Sequence, residues 1–152
     1  MLNRTNSFFD TVLAIADDYV ARKKAHEEKK PEYDSPEFEA WNETRKEQFS
    51  EYPIPAGVCK AYQAFTQSCE DERDEVVMDD FLWDREVEDF LNALRGAGIS
   101  TFIYTNTSTA VMGNIHDFAA HGCTFKELTT VSKKSWWKDA EDEVVQGIRF
   151  EL

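Results

Sequence analysis

The carboxylates between positions 70 and 89 are the side chains whose density most strongly suggests a function. Eleven acidic residues stand in this stretch against Arg73 and Arg85. They are Glu70, Asp71, Glu72, Asp74, Glu75, Asp79, Asp80, Asp84, Glu86, Glu88 and Asp89. Such a concentration of negative charge attracts a basic macromolecular surface at long range and in a salt-dependent manner. A solvated face that only keeps the chain in solution is the alternative interpretation.

A basic protein partner is expected to contact the first part of this stretch together with one tryptophan. The expected contact residues are Glu70, Asp71, Glu72, Asp74, Glu75, Asp79, Asp80 and Trp137. Trp136 and Trp137 are adjacent, and neighbouring side chains of an extended chain point to opposite sides. One of the two is then free to anchor a partner, as tryptophans often do at interfaces. Burial of both at the edge of the core stays open.

A second candidate site lies where a predicted strand gives way to a predicted helix. Thr105, Asn106, Thr107 and Ser108 place hydroxyl and amide groups at this junction. The unpaired N–H groups of a helix N-terminus attract anions, and these side chains can add hydrogen bonds to a phosphate or a carboxylate. The alternative is that Thr107 or Ser108 only caps the helix.

The same segment resembles the strand-end threonine motif of haloacid-dehalogenase-like phosphatases. Gly98-Ile99 stands at the start of the predicted strand, and Thr105-Asn106 stands at its end. That family also requires an Asp-x-Asp motif at the end of an earlier strand. Asp79-Asp80 falls in a predicted polar connector with no apolar strand before it, so the sequence argues against membership of that family.

Other catalytic, metal and cofactor signatures are not predicted. Cys59, Cys69 and Cys123 share no C-x-x-C spacing, which favours reduced thiols in a cytoplasmic protein. His116 and His121 are five residues apart, a step that rotates the second side chain by about 140° on a helix, so a metal site is not expected. The formal net charge of −13 disfavours direct binding of nucleic acid or of a membrane surface.

The elements that carry these side chains are predicted as helices first and strands afterwards. Apolar residues at helical spacing predict four helices within residues 7–95, with an acidic connector before the fourth. From Gly98 onward the pattern changes, and β-branched and aromatic residues predict a strand at Ile99–Thr105. A helix and a parallel second strand follow, and then an antiparallel last strand at Val144–Leu152.

The predicted architecture is a single α+β domain spanning residues 1–152. Four N-terminal helices (7–95) pack on a small, mixed, three-stranded sheet formed by a strand–helix–strand–strand unit (98–152). A chain of this length buries a substantial core without metals or disulfides.

The chain also resembles uncharacterised small acidic proteins of conjugative or phage-like mobile elements in Gram-positive anaerobes. The likeness runs from Phe81-Leu82-Trp83-Asp84 through Ala97-Gly98 and Thr105–Met112 to Gly147-Ile148-Arg149. It implies an anti-defence inhibitor, of the anti-CRISPR or anti-restriction kind, that offers carboxylates to a nucleic-acid-binding enzyme. A non-enzymatic protein-binding module is therefore the leading hypothesis. A phosphate- or nucleotide-binding protein or enzyme using Thr105–Ser108 is the alternative, and a self-associating structural component is the third.

Overall fold

The computed structural model describes residues 1–135 and 137–152 and confirms the α+β class. Its elements are α1 (Ser7–Glu27), α2 (Pro36–Phe49), α3 (Ala56–Glu70), β1 (Val76–Met78), α4 (Asp84–Gly96), β2 (Thr101–Tyr104), α5 (Val111–Ala120), β3 (Thr124–Lys133) and β4 (Glu143–Glu151). Over the residues described, no helix combines the length and the apolar character needed to cross a bilayer.

The chain divides into two compact units, Phe9–Pro55 and the combination of Met1–Phe8 with Ala56–Leu152. The smaller unit contains most of α1 and all of α2. In it the His26 ring stacks on the Trp41 ring at 4.9 Å, and the Trp41 indole N–H donates to the His26 carbonyl. Tyr19 meets Phe49 edge to face, with ring centroids 5.7 Å apart. Aromatic contacts of this kind explain how so charged a pair of helices holds together.

The larger unit contains a mixed four-stranded sheet in the order β1-β2-β4-β3. β1 pairs with β2 in parallel, and β4 pairs antiparallel with both β2 and β3. The prediction of three strands was wrong because β1 lies within the predicted acidic connector. Val76-Val77-Met78 is too short to show an alternating pattern, and acidic residues flank it on both sides.

The predicted arrangement of four helices ahead of the sheet was also wrong, since β1 stands between α3 and α4. β2 and β3 run in the same direction, as predicted, because both are antiparallel to β4. They are not neighbours, however, since β4 lies between them. The antiparallel pairing of the last two strands is confirmed.

The ends of α4 and α5 set the positions of the strands that follow. Gly98 and Gly122 adopt positive φ values of 74° and 91°, a conformation that costs glycine little. At its other end α5 begins later than predicted. Its N-cap is Ala110, so neither Thr107 nor Ser108 is the N-cap residue.

Four phenylalanines form the centre of the larger unit. Phe90 of α4 and Phe118 of α5 both contact Phe102 of β2, at centroid distances of 5.7 and 5.2 Å. Phe150 of β4 completes the cluster, 5.3 Å from Phe118. α4 and α5 therefore cover the sheet face that carries Phe102 and Phe150, and each ring is almost completely buried.

The β3–β4 hairpin extends beyond the end of β2, because residues 143–147 of β4 pair with β3 and not with β2. β3 is at the far edge from β1, yet the Arg73 guanidinium, in the loop before β1, donates to the Ser132 carbonyl of β3 at 3.1 Å. Ile103 and Val131 are buried on the sheet face opposite to the one that carries Phe102 and Phe150. The hairpin thus brings the end of β3 next to the loop before β1 and, through Lys133 and Asp79, next to the end of β1.

Candidate functional site

A cleft of about 670 Å³ lies where α3, β1 and the end of β3 meet. Its lining residues are Lys60, Gln63, Ala64, Thr66, Gln67, Ser68, Glu70, Asp71, Arg73, Val77, Met78, Asp79, Asp80, Lys133, Lys134 and Ser135. All of them belong to the larger unit. A volume of this size falls within the range of known ligand sites.

One end of the cleft is organised by Lys60, on the second turn of α3. Its ammonium group lies 2.9 Å from the buried Glu86 carboxylate and 3.6 Å from that of Asp80. It also donates to the Phe81 carbonyl at 2.7 Å and sits over the Phe81 ring. Glu86 in turn accepts a hydrogen bond from the Trp83 N–H and so fixes the start of α4. With three oxygen contacts, Lys60 acts mainly as a structural cation.

The wall opposite α3 is held by Lys133 at the end of β3. Its ammonium group lies 3.1 Å from the Asp79 carboxylate, directly after β1. Asp79 is in turn tied to the end of β2, because the Asn106 side-chain amide donates to the Asp79 carbonyl at 2.9 Å. Three strand ends that are distant in sequence therefore converge at Asp79.

The position of Asp79 corrects one expectation from the sequence. An apolar strand does precede it, and this strand is parallel and adjacent to β2, which ends just before Thr105. The expectation that no apolar strand precedes Asp79 was therefore wrong. The Asp-x-Asp motif is still incomplete, because Phe81 occupies the position two residues after Asp79.

The seven predicted partner-binding carboxylates fall into two groups. Glu70, Asp71, Asp79 and Asp80 line the cleft, whereas Glu72, Asp74 and Glu75 do not. Trp137 is 80% exposed, and Trp136 lies outside the described residues. Of the seven predicted carboxylates, the structure therefore brings the first two and the last two together in the cleft, and it places the middle three elsewhere.

Five of these seven carboxylates form ion pairs within the chain. Asp71 pairs with Arg73, Asp74 with the N-terminal amine, Glu75 with Arg149, Asp79 with Lys133, and Asp80 with Lys60. The N-terminal amine also lowers the pKa of the Asp74 carboxyl, chiefly through a hydrogen bond. Glu70 and Glu72 are exposed and have no ion pair in the described part of the chain. These seven carboxylates are therefore largely neutralised at short range.

The charges around the cleft are balanced. Lys60, Arg73, Lys133 and Lys134 face Glu70, Asp71, Asp79 and Asp80, so the lining is formally neutral in a chain of net charge −13. Two oppositely charged side chains, Glu70 and Lys134, are exposed and have no ion pair among residues 1–135 and 137–152. A polar ligand that carries a charge of either sign can find a partner there.

The Thr105–Ser108 segment lies beside the cleft and does not line it. The Asn106 carboxamide oxygen accepts hydrogen bonds from the Ser108 N–H and the Ser108 hydroxyl, so the loop satisfies much of its own polarity. Thr107 is exposed. The Thr105 hydroxyl differs from these groups because it is buried and has no hydrogen-bond partner within the described residues.

Among the residues that the structure describes, the histidines and cysteines are not gathered into a metal site. Within residues 1–135 and 137–152, no group of three or more His, Cys, Asp or Glu side chains is placed to hold a metal ion. Burial raises the pKa of the Cys69 and Cys123 thiols, which disfavours the reactive thiolate form.

Sequence reasoning missed the side chains that build the cleft from α3. Gln63 and Gln67 stand four residues apart and share one helix face, but uncharged amides on an exposed face carry no distinctive signal. Lys60 and Lys133 were missed for another reason. Their partners Asp80 and Asp79 are distant in sequence, and a lysine without a nearby acid in the sequence does not predict an ion pair.

Comparisons with known proteins place the chain in a family but do not assign an activity. No curated protein and no solved structure shows a significant similarity to it. A family model described as a domain of unknown function, DUF7698, matches residues 60–152, which is more than half of the chain. The match begins at Lys60 and includes every residue that lines the cleft. On this evidence the chain belongs to the DUF7698 family.

Proposed function

We propose that this protein is a non-enzymatic acidic protein-binding module, and that a partner segment docks in the cleft between α3, β1 and β3. The observation that supports the proposal is the convergence of four predicted contact residues, Glu70, Asp71, Asp79 and Asp80, on one cleft. A cleft lined with paired charges presents fixed donors and acceptors, which favour specific recognition of a polar surface.

The net charge of this chain indicates which kind of partner we expect. A chain of net charge −13 attracts a basic protein at long range and repels nucleic acid. A basic nucleic-acid-binding enzyme fits this description. The resemblance to small proteins of mobile elements suggests a defence nuclease in the cytoplasm, inhibited by the occupation of its basic groove.

The intrachain ion pairs limit how the carboxylates act in this proposal. A partner arginine that approaches Asp79 must displace Lys133, and one that approaches Asp80 competes with Lys60. Glu70 and Glu72 have no ion pair among residues 1–135 and 137–152, so a partner arginine can approach them without displacing a cation. We therefore expect the acidic stretch to accelerate association more than it strengthens the final complex.

The test is the association rate constant with a panel of basic nucleic-acid-binding enzymes, beginning with a Cas nuclease and a restriction endonuclease. The Glu70→Gln/Glu72→Gln variant should associate severalfold more slowly than the wild type, and the difference should shrink at high salt. Glu37→Gln/Glu39→Gln, on exposed positions of α2, is the matched control. The proposal fails if no member of the panel binds, or if the control slows association as much as the test variant.

A second candidate is an anion site at Thr105–Ser108. It is favoured by the Thr105 hydroxyl, which is buried and has no hydrogen-bond partner in the described part of the chain. An unsatisfied buried hydroxyl is costly, so a ligand that bonded to it would gain by doing so. Thermal-shift measurements with phosphate, nucleotides and divalent metals test this candidate. A ligand at one hundred times its Kd stabilises by about 2.7 kcal/mol, and the absence of any shift would remove the candidate.

A further inference from the structure

The shape of the cleft restricts what a partner can place in it. Its α3 wall runs from Lys60 to Glu70, ten residues along one helix. At 1.5 Å per residue this wall is about 15 Å long. An extended chain advances about 3.3 Å per residue, so four or five residues would span it.

Two glutamine side chains lie four residues apart on this wall. Gln63 and Gln67 both line the cleft and both are exposed. Four residues on a helix rise by about 6 Å, close to the 6.6 Å that separates alternate peptide groups of an extended chain. The Gln63 carboxamide makes no hydrogen bond in the part of the chain that the structure describes. The Gln67 amide donates to Asp71, which leaves its oxygen available.

A partner segment cannot pair with the outer edge of β1 as an additional strand, because a side chain of α3 already bonds to the centre of that edge. The hydroxyl of Ser68, on α3, accepts the Val77 N–H at 2.9 Å and so occupies the outer edge of β1 at its centre. We therefore expect a segment in the cleft to contact the side chains of α3 and not to form backbone hydrogen bonds with β1.

We infer that the cleft binds an extended peptide segment of about five residues, whose backbone groups are held by Gln63 and Gln67. This inference rests on the proposed function and adds the form of the partner segment. A basic residue in the segment lies toward Glu70, where the negative end of the α3 dipole and the unpaired carboxylate both favour a cation.

The probe is a fluorescein-labelled heptapeptide of alternating lysine and alanine, capped at both ends, with binding measured by fluorescence anisotropy at moderate salt. Gln63→Ala/Gln67→Ala should weaken binding about tenfold, since two hydrogen bonds of roughly 0.7 kcal/mol each are lost. Gln146→Ala, an exposed glutamine of β4 outside the cleft, should leave the affinity unchanged. Methylation of alternate peptide nitrogens of the probe should weaken binding to the wild type similarly.

The outcomes separate the inference from the proposal on which it rests. If the double glutamine variant binds within twofold of the wild type while Glu70→Gln/Glu72→Gln is impaired, the peptide-backbone inference fails and the proposed function stands. If the N-methylated probe binds as tightly as the parent peptide, the inference also fails. An absence of peptide binding overturns the inference, and the proposed function is then decided by the enzyme panel described above.

Discussion

The side chain of Asn114 makes both backbone hydrogen bonds of Leu82. The Leu82 N–H donates to the Asn114 carboxamide oxygen at 3.0 Å, and the Asn114 amide donates to the Leu82 carbonyl. Tyr104 donates its hydroxyl to the same oxygen at 2.6 Å. A single residue of α5 thereby fixes the segment that connects β1 to α4. This connecting segment carries Asp80 and Phe81 at one end of the cleft.

Replacement of Asn114 by alanine should therefore destabilise the protein strongly. Asn114 is 2% exposed, so water cannot replace its bonds, and the Leu82 N–H and carbonyl would be left unsatisfied. We expect a loss of about 2–4 kcal/mol in the free energy of unfolding, measured by urea denaturation. Asn92→Ala, at an exposed position of α4, is the control. A loss below about 1 kcal/mol for Asn114→Ala would contradict this role.

Two glycine substitutions should change stability in opposite directions. A Cβ atom on Gly147 would lie 2.7 Å from Ile103 Cγ2 and 3.0 Å from Thr105 Cγ2, so Gly147→Ala should cost about 1–3 kcal/mol through overpacking. Gly113 lies in α5 with nothing within 4 Å of the added atom, so Gly113→Ala should stabilise by about 0.5–1 kcal/mol. Thermal unfolding of both variants checks the pair, and a Gly147→Ala protein as stable as the wild type would refute the close contact.

Removal of the buried Thr105 hydroxyl should make the protein more stable. Thr105 is 6% exposed, and valine has almost the same shape without the unsatisfied oxygen. We expect Thr105→Val to gain about 1 kcal/mol in the free energy of unfolding. Thr107→Val, on the exposed side of the same loop, should change stability by less than about 0.5 kcal/mol. A clearly destabilised Thr105→Val protein would mean that the hydroxyl has a partner after all.

Stability should fall in strongly alkaline solution because of Tyr104. Burial, assisted by the nearby Asp80 charge, raises the pKa of its hydroxyl from the usual value of 10.0 to about 12. The folded state then holds this proton more tightly than the unfolded state. The stability that it contributes is present below pH 10 and is lost as the pH rises toward 12.

The measurement is the difference in unfolding free energy between the wild type and Tyr104→Phe across that pH range. The rise in the pKa from 10.0 to about 12 corresponds to about 2.7 kcal/mol of pH-dependent stability, which Tyr104→Phe should lack. Absorbance titration of the tyrosines should also lack one late transition in Tyr104→Phe. Parallel stability curves for the two proteins from pH 9 to 12 would exclude a raised pKa.

The prediction of the helices succeeded where local periodicity was strong. Phe90, Leu91 and Leu94 recur at helical spacing, and these residues are buried on one face of α4. The long strands were visible for the same reason, since β4 alternates through Ile148 and Phe150. β1 escaped prediction because three residues are too few to express a period, and its stability as a strand comes from pairing with β2.

The amino-acid sequence by itself determined the α+β class, the net charge and the location of the acidic stretch, because composition and short-range periodicity depend only on neighbouring residues. Only the tertiary structure decided which carboxylates are neutralised and which form a cleft. Lys133 contacts Asp79 across 54 positions of sequence because the β3–β4 hairpin extends beyond the end of β2. Contacts of that range depend on sheet order and twist, which no local pattern in the chain encodes.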